Sequence, residues 1–244
     1  LILTILTREN IIFFIPLLIY WFFKLKGDHS QIIKKVMLFI AGFFIIFGLV
    51  MIRNYLAGAP VISFSEQGVD ALLSGTSTDV SGIGYVITDK HKEILEKYNR
   101  NELKIIGYLI KENIFNWKSQ IKLYLRKLVY FFNHLEVGNN YNYYLLRQFS
   151  AILQMPVFMF GLISALGLIG IILNLRYFQK YLLLYLFFIS YTISNLLFFI
   201  LSRFRLPVVN IFFIFSAVII YQLFQLFTDK KYKLFFIRIG LIIL

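Results

Sequence analysis

The sequence predicts an all-α polytopic membrane protein, with about five transmembrane helices plus a truncated C-terminal one and a large mixed, mainly helical extracytoplasmic loop. Three observations carry this expectation. The chain is 59% hydrophobic and 19% aromatic but only 15% charged, where roughly a quarter of a soluble domain is charged. Four stretches without Asp, Glu, Lys or Arg meet or approach the about 20 residues that cross a bilayer core: Val36 to Ile52, Met155 to Leu173, Tyr181 to Leu201 and Leu206 to Phe227. Lysines and arginines collect in the connectors beside these stretches.

In chain order, Ile11 to Phe23 is short for a span, contains Pro16 and adjoins the apolar Leu1 to Leu6, which predicts a kinked or partly re-entrant helix. Lys24, Lys26, Lys34 and Lys35 fill the next connector, Arg176 and Lys180 another, and Lys230, Lys231, Lys233 and Arg238 follow the last full stretch. The positive-inside rule places all three in the cytoplasm. Residues 1–52 then form transmembrane helices with a cytoplasmic connector, 53–154 an extracytoplasmic loop, and 155–244 a C-terminal transmembrane bundle. The chain opens at Leu1 and stops at Leu244 within the apolar run from Leu234, so it reads as a fragment at both ends. The net charge of +13 suggests nucleic acid in a soluble protein, but here it lies beside the spans and no reading motif accompanies it.

Within the loop, eleven Lys or Arg face nine Asp or Glu after Arg53, as expected of a translocated segment. It begins with Ala57-Gly58-Ala59-Pro60 and the strand-like Val61-Ile62-Ser63-Phe64. The Gly, Ser and Thr of Gly68 to Gly84 favour turns over helix. From Asp89 the spacing becomes helical, with Ile94, Leu95 and Tyr98 in one segment and Leu103, Ile106, Leu109 and Ile110 in the next. Trp117 to Leu135 sets Ile121, Leu125, Leu128, Val129 and Phe132 on one side and Lys118, Lys122, Arg126 and Lys127 around the other. That is the pattern of an interfacial helix, or of one packed on the loop domain.

His29, His91 and His134 are scattered, form no metal or triad spacing, and read as solvated surface residues. There is no glycine-rich phosphate loop, and the absence of cysteine excludes disulfides and thiolate metal sites. The unusual feature is Arg8, Arg53, Arg203 and Arg205, all at external ends of spans. Their planar donor forks suit phosphate oxygens, although a single arginine can also snorkel to a headgroup or pair with Glu66 or Glu136. Asn174, Asn195 and Asn210, in or beside the last three spans, read as interhelical hydrogen-bonding residues.

Arg53-Asn54-Tyr55 and Gly58-Ala59-Pro60-Val61, then Arg126-Lys127-Leu128 with Phe131-Phe132-Asn133, Glu136 and Asn139-Asn140-Tyr141-Asn142-Tyr143, then Ser202-Arg203-Phe204-Arg205-Leu206-Pro207 follow one another along the chain. This order resembles that of family 39-like GT-C membrane glycosyltransferases, whose late turn usually reads Arg-Tyr-Arg-Leu-Pro; Phe204 stands here in place of the tyrosine. The resemblance implies transfer of a sugar from a polyprenyl-phosphate donor to a glycan, lipid or protein acceptor at the outer face of a bacterial cytoplasmic membrane, with inversion. No cofactor is implied, since the lipid-linked sugar is a substrate. Such enzymes carry their acidic general base in the first external loop, upstream of Leu1, so no catalytic residue is assigned here. Arg8, Arg53, Arg203 and Arg205 would contact the donor phosphate. Asn54, Glu136, Asn139 and Asn140 would bond sugar or acceptor hydroxyls, with turn formation the competing role for the asparagines. An O-antigen ligase or polymerase and a transporter are the rival readings; a transporter is disfavoured by spans that lack ionisable groups.

Overall fold

The computed structural model describes residues 4–5, 8–25, 28–59, 61, 68–138, 142–155 and 160–243. Among these the fold is all-α, and the one extended pairing is a parallel bridge between Ile83 and Ile200. A 3-10 turn, Glu9–Phe14, leads into α1 (Ile15–Lys24) with Pro16 in the first turn, where its missing N–H costs no helical bond. Helix α2 (His29–Leu56) runs for 28 residues from an Asp28 cap, whose carboxylate accepts from the Ser30 N–H.

The loop region holds α3 (Gly68–Thr76), α4 (Asp89–Lys97), α5 (Glu102–Phe115), α6 (Trp117–Phe132), α7 (Tyr143–Gln148) and α8 (Ala151–Gln154). Then come α9 (Phe160–Leu173), a 3-10 turn at Leu175–Tyr177, α10 (Leu182–Leu197), a second turn at Ser202–Arg205, α11 (Leu206–Thr228) and α12 (Tyr232–Ile243). Among the described residues two helices are long and apolar enough to cross a membrane, His29–Leu56 and Ser202–Thr228; Asn10–Lys24, Phe160–Leu173 and Leu182–Leu197 are apolar but shorter.

Several expectations need correction. The stretch Tyr181 to Leu201 is helical only to Leu197, because its last residues are drawn into backbone pairing with the loop: Ile200 N–H donates to Gly82 O at 2.9 Å and Gly84 N–H to Ile200 O at 3.0 Å. Gly68–Thr76 is a helix rather than a run of turns. Val69 and Leu73 bury there against Ile94, Leu95, Ile105 and Leu109, and this tertiary burial outweighs the weak helix propensity of Gly and Ser. His91 is fully buried rather than solvated. Its Nδ1 accepts from the Thr88 N–H at 3.3 Å, closing the capping box of α4, and its Nε2 lies 2.8 Å from Ser77 Oγ. Of the strand-like stretch from Val61, residues 62–64 fall outside the described residues, as does Glu66.

The main core joins α9, α10 and α11 through Phe160, Ile171, Tyr185, Tyr191, Phe212 and Phe215, and Phe131 of α6 enters it from the loop. Close approach of α9 and α11 depends on glycine: a Cβ at Gly167 would lie 2.5 Å from Phe212 Cβ, and one at Gly170 2.5 Å from Phe215 O. Two of the three asparagines serve between elements as expected, while Asn210 is exposed and lines a cavity. Asn174 Oδ1 accepts from Gln222 of α11, and Asn195 Oδ1 accepts from Asn10.

Candidate functional site

The connector between α10 and α11 organises the site. Phe199, Ile200 and Leu201 are buried and extended. One edge of this segment pairs with residues 82–84 as above, and beyond it the Ser202 N–H donates to Val137 O at 3.1 Å. A buried cation stands at each end. Lys127, fully enclosed, donates to Gly75 O at 2.9 Å and to Leu196 O, carbonyls in the last turns of α3 and α10. Arg205, 1% exposed, donates from Nη1 to Asn133 O at 2.9 Å and from Nη2 to Leu135 O and Ser202 Oγ, with its guanidinium 4.6 Å from the Phe160 ring centroid. Its Nε has no partner among the described residues.

Arg203, two residues earlier, points the other way and is exposed. Its guanidinium lies 5.2 Å from the Phe204 ring centroid, and that of Arg8 lies 5.7 Å from the same ring. Arg8 also donates to Arg203 O at 3.2 Å and to Tyr191 Oη at 3.5 Å. Phe204 thus gathers two cations from segments 195 residues apart, an attraction its aromatic face supplies without a tyrosine hydroxyl. Beside Arg8 opens a cavity of about 550 Å³, which Arg203 and Phe204 do not line. Arg8, Thr4 and Asn210 form its polar lining; Ile11, Phe187, Leu206 and Pro207 form its apolar wall.

The structure therefore brings Arg8 and Arg203 together and turns Arg205 inward. Arg53 stands exposed in the last turn of α2, where a cation complements the helix dipole. It donates to Asn54 Oδ1 at 3.5 Å, while Asn54, buried, donates to Val61 O at 3.5 Å and so holds the turn that follows. Glu136 is half-buried, within electrostatic reach of Arg205, and its N–H donates to Tyr144 Oη at 3.1 Å. Asn139 and Asn140 lie outside the described residues.

Sequence alone does not single out Lys127, whose acceptors lie 52 and 69 residues away. For His91 the signal was present in the Thr88-x-x-His91 spacing of a capping box. Comparison with protein-family models, curated proteins and solved structures finds no match for this chain.

Proposed function

We propose that this chain is the donor-lipid part of a polytopic membrane glycosyltransferase, in which Arg8 and Arg203 hold the phosphate of a polyprenyl-linked sugar on the extracytoplasmic side. The observation that carries the reading is their convergence on Phe204, with Arg8 lining a cavity that combines polar Thr4 and Asn210 with apolar Ile11, Phe187, Leu206 and Pro207. A polyprenyl phosphate likewise combines a charged group with an apolar chain. The cavity also sits where α11 begins, one of the two helices long and apolar enough to cross a membrane.

In the transfer, the acceptor hydroxyl oxygen attacks the anomeric carbon from the face opposite the phosphate, and the anomeric carbon–oxygen bond to phosphate breaks. The bonding pair leaves on the polyprenyl phosphate, which gains one negative charge, and the hydroxyl proton passes to a base that none of these residues is assigned to be. Two guanidiniums aimed at the leaving phosphate stabilise that gain in charge more than the ground state. Arg205 has a positioning role, holding the turn from which Arg203 projects. Arg53, Asn54 and Glu136 are left for the sugar and acceptor side.

The test is sugar transfer by the full-length protein at matched membrane abundance. A charged hydrogen bond contributes about 1.5–3 kcal/mol, and each 1.4 kcal/mol is about tenfold in rate. Arg8→Ala and Arg203→Ala are each expected to slow transfer about 10- to 100-fold, and the lysine variants to recover part of it, keeping charge but losing the fork. Unchanged transfer in both alanine variants overturns the assignment. Arg205→Ala is expected to lower abundance instead.

A further inference from the structure

Helix α6 is built with its polarity inverted. Gln120, Leu123, Lys127 and Phe131 face the protein, while Trp117, Ile121, Leu125 and Val129, four residues apart, are 50 to 62% exposed. The inward donors are satisfied within the chain: Gln120 Nε2 donates to Thr76 O at 2.7 Å and to Asn113 Oδ1 at 2.6 Å, and Lys127 meets its two carbonyls, while Gln120 Oε1 has no partner among the described residues. Helix α5, joined to α6 through Asn116, continues the pattern. It buries Ile105 and Leu109 and leaves Leu103, Ile106, Ile110 and Ile114 36 to 82% exposed.

Charge is arranged to match. Lys118, Lys122 and Arg126 each follow one residue after Trp117, Ile121 and Leu125, so they form the adjoining exposed row. Lys104 and Lys111 are exposed on α5, where Glu102 is the one exposed carboxylate; Glu112 is tied to Lys90 at 3.1 Å. An apolar row bordered by cations fits the boundary between hydrocarbon and anionic headgroups. A protein partner fits less well, since the buried centre of a protein interface is depleted in lysine.

We propose that the α5–α6 hairpin lies in the headgroup layer of a bilayer containing anionic lipid, its apolar rows inserted and its lysine–arginine row against the lipid phosphates. This stands apart from sugar transfer and can fail without it. The experiment uses the full chain carrying Trp21→Phe, which leaves Trp117 as the sole indole, in vesicles of phosphatidylcholine with phosphatidylglycerol. Lipids brominated close to the headgroup are expected to quench Trp117 several-fold more than lipids brominated at the chain end, and aqueous iodide to reach it several-fold less than in the unfolded chain. Replacing Lys118, Lys122 and Arg126 by Gln is expected to weaken the bromolipid quench only when phosphatidylglycerol is present. Free iodide access without bromolipid quenching overturns the proposal in favour of a solvated face. Protection from iodide without bromolipid quenching overturns it in favour of a protein partner. Sugar transfer measured on the same vesicles separates the two readings: transfer unchanged in Arg8→Ala and Arg203→Ala with the Trp117 quench retained counts against the arginine site alone.

Discussion

At Lys127 an amine that would ordinarily stay in water is enclosed between carbonyls in the last turns of α3 and α10, Gly75 O and Leu196 O. Burial pushes it down from 10.5 to about 7, against the pull of two helix C-termini that favour the ammonium. The unfolded chain keeps this proton up to its ordinary value, so between about pH 7 and pH 10.5 the unfolded state binds more protons, and stability rises with pH across that window and is flat below it. Thermal unfolding of the wild type and of Lys127→Met, compared from pH 6 to pH 10, is expected to show this rise only in the wild type; parallel pH profiles would sink the assignment. The sequence made Lys127 look like one more cation on a solvated flank, because nothing within a helical turn reports acceptors so far along the chain. The arginines were more legible. Their placement near span ends, and the Arg203-Phe204-Arg205 spacing, drew attention to the turn, but which guanidinium turns inward depends on Asn133, Leu135 and Phe160, which no local rule connects to it.

The elements divide in the same way. Helices α2 and α11 were legible because their apolar character is continuous, and α4 to α6 because their spacing is periodic. Helix α3 and the end of α10 were not, since each is shaped by the other: a Cβ at Gly75 would lie 2.4 Å from the Phe198 carbonyl carbon, so α3 reaches the connector only through a glycine. Backbone cannot yield there as a flexible side chain can. Gly75→Ala is expected to cost about 1–3 kcal/mol by overpacking, lowering the unfolding midpoint by about 2–4 °C per kcal/mol in a chain of this size. Gly107→Ala is the matched control, at a mid-α5 glycine with nothing within 4 Å of the added methyl; helix propensity favours alanine there by about 1 kcal/mol. Circular dichroism melts of the two variants should move in opposite directions, and a Gly75→Ala protein as stable as wild type would remove the close packing of α3 on the connector from the account.

For the whole molecule, burial is distributed unlike that of a soluble helical domain. Along the 28 residues of α2 only Ile32, Val36 and Asn54 are buried, and Leu38, Phe44, Ile45 and Leu49 are each more than 60% exposed. On α11 one side packs into the core through Val208, Phe212, Phe215 and Ile219, while Phe213, Ile220 and Phe224 face outward. The loop has a separate small core around Leu73, Ile94 and Ile105. Exposing that much hydrocarbon to water is unfavourable by about 25 cal/mol per Å², whereas lipid imposes no such cost, and this asymmetry favours a chain embedded through its long helices with the loop to one side. From the positive connectors the positive-inside rule predicts the start of α2 inside and the α3–α6 loop outside. Glu93 on α4 and Ser30 in the first turn of α2 are exposed and can report the two sides. With no native cysteine to interfere, Glu93→Cys should react with a membrane-impermeant thiol reagent in intact cells and Ser30→Cys only after permeabilisation. Equal labelling of both in intact cells would defeat the topology, and the reversed pattern would put Arg8, Arg203 and the cavity beside Arg8 on the cytoplasmic side, out of reach of a donor presented at the outer face.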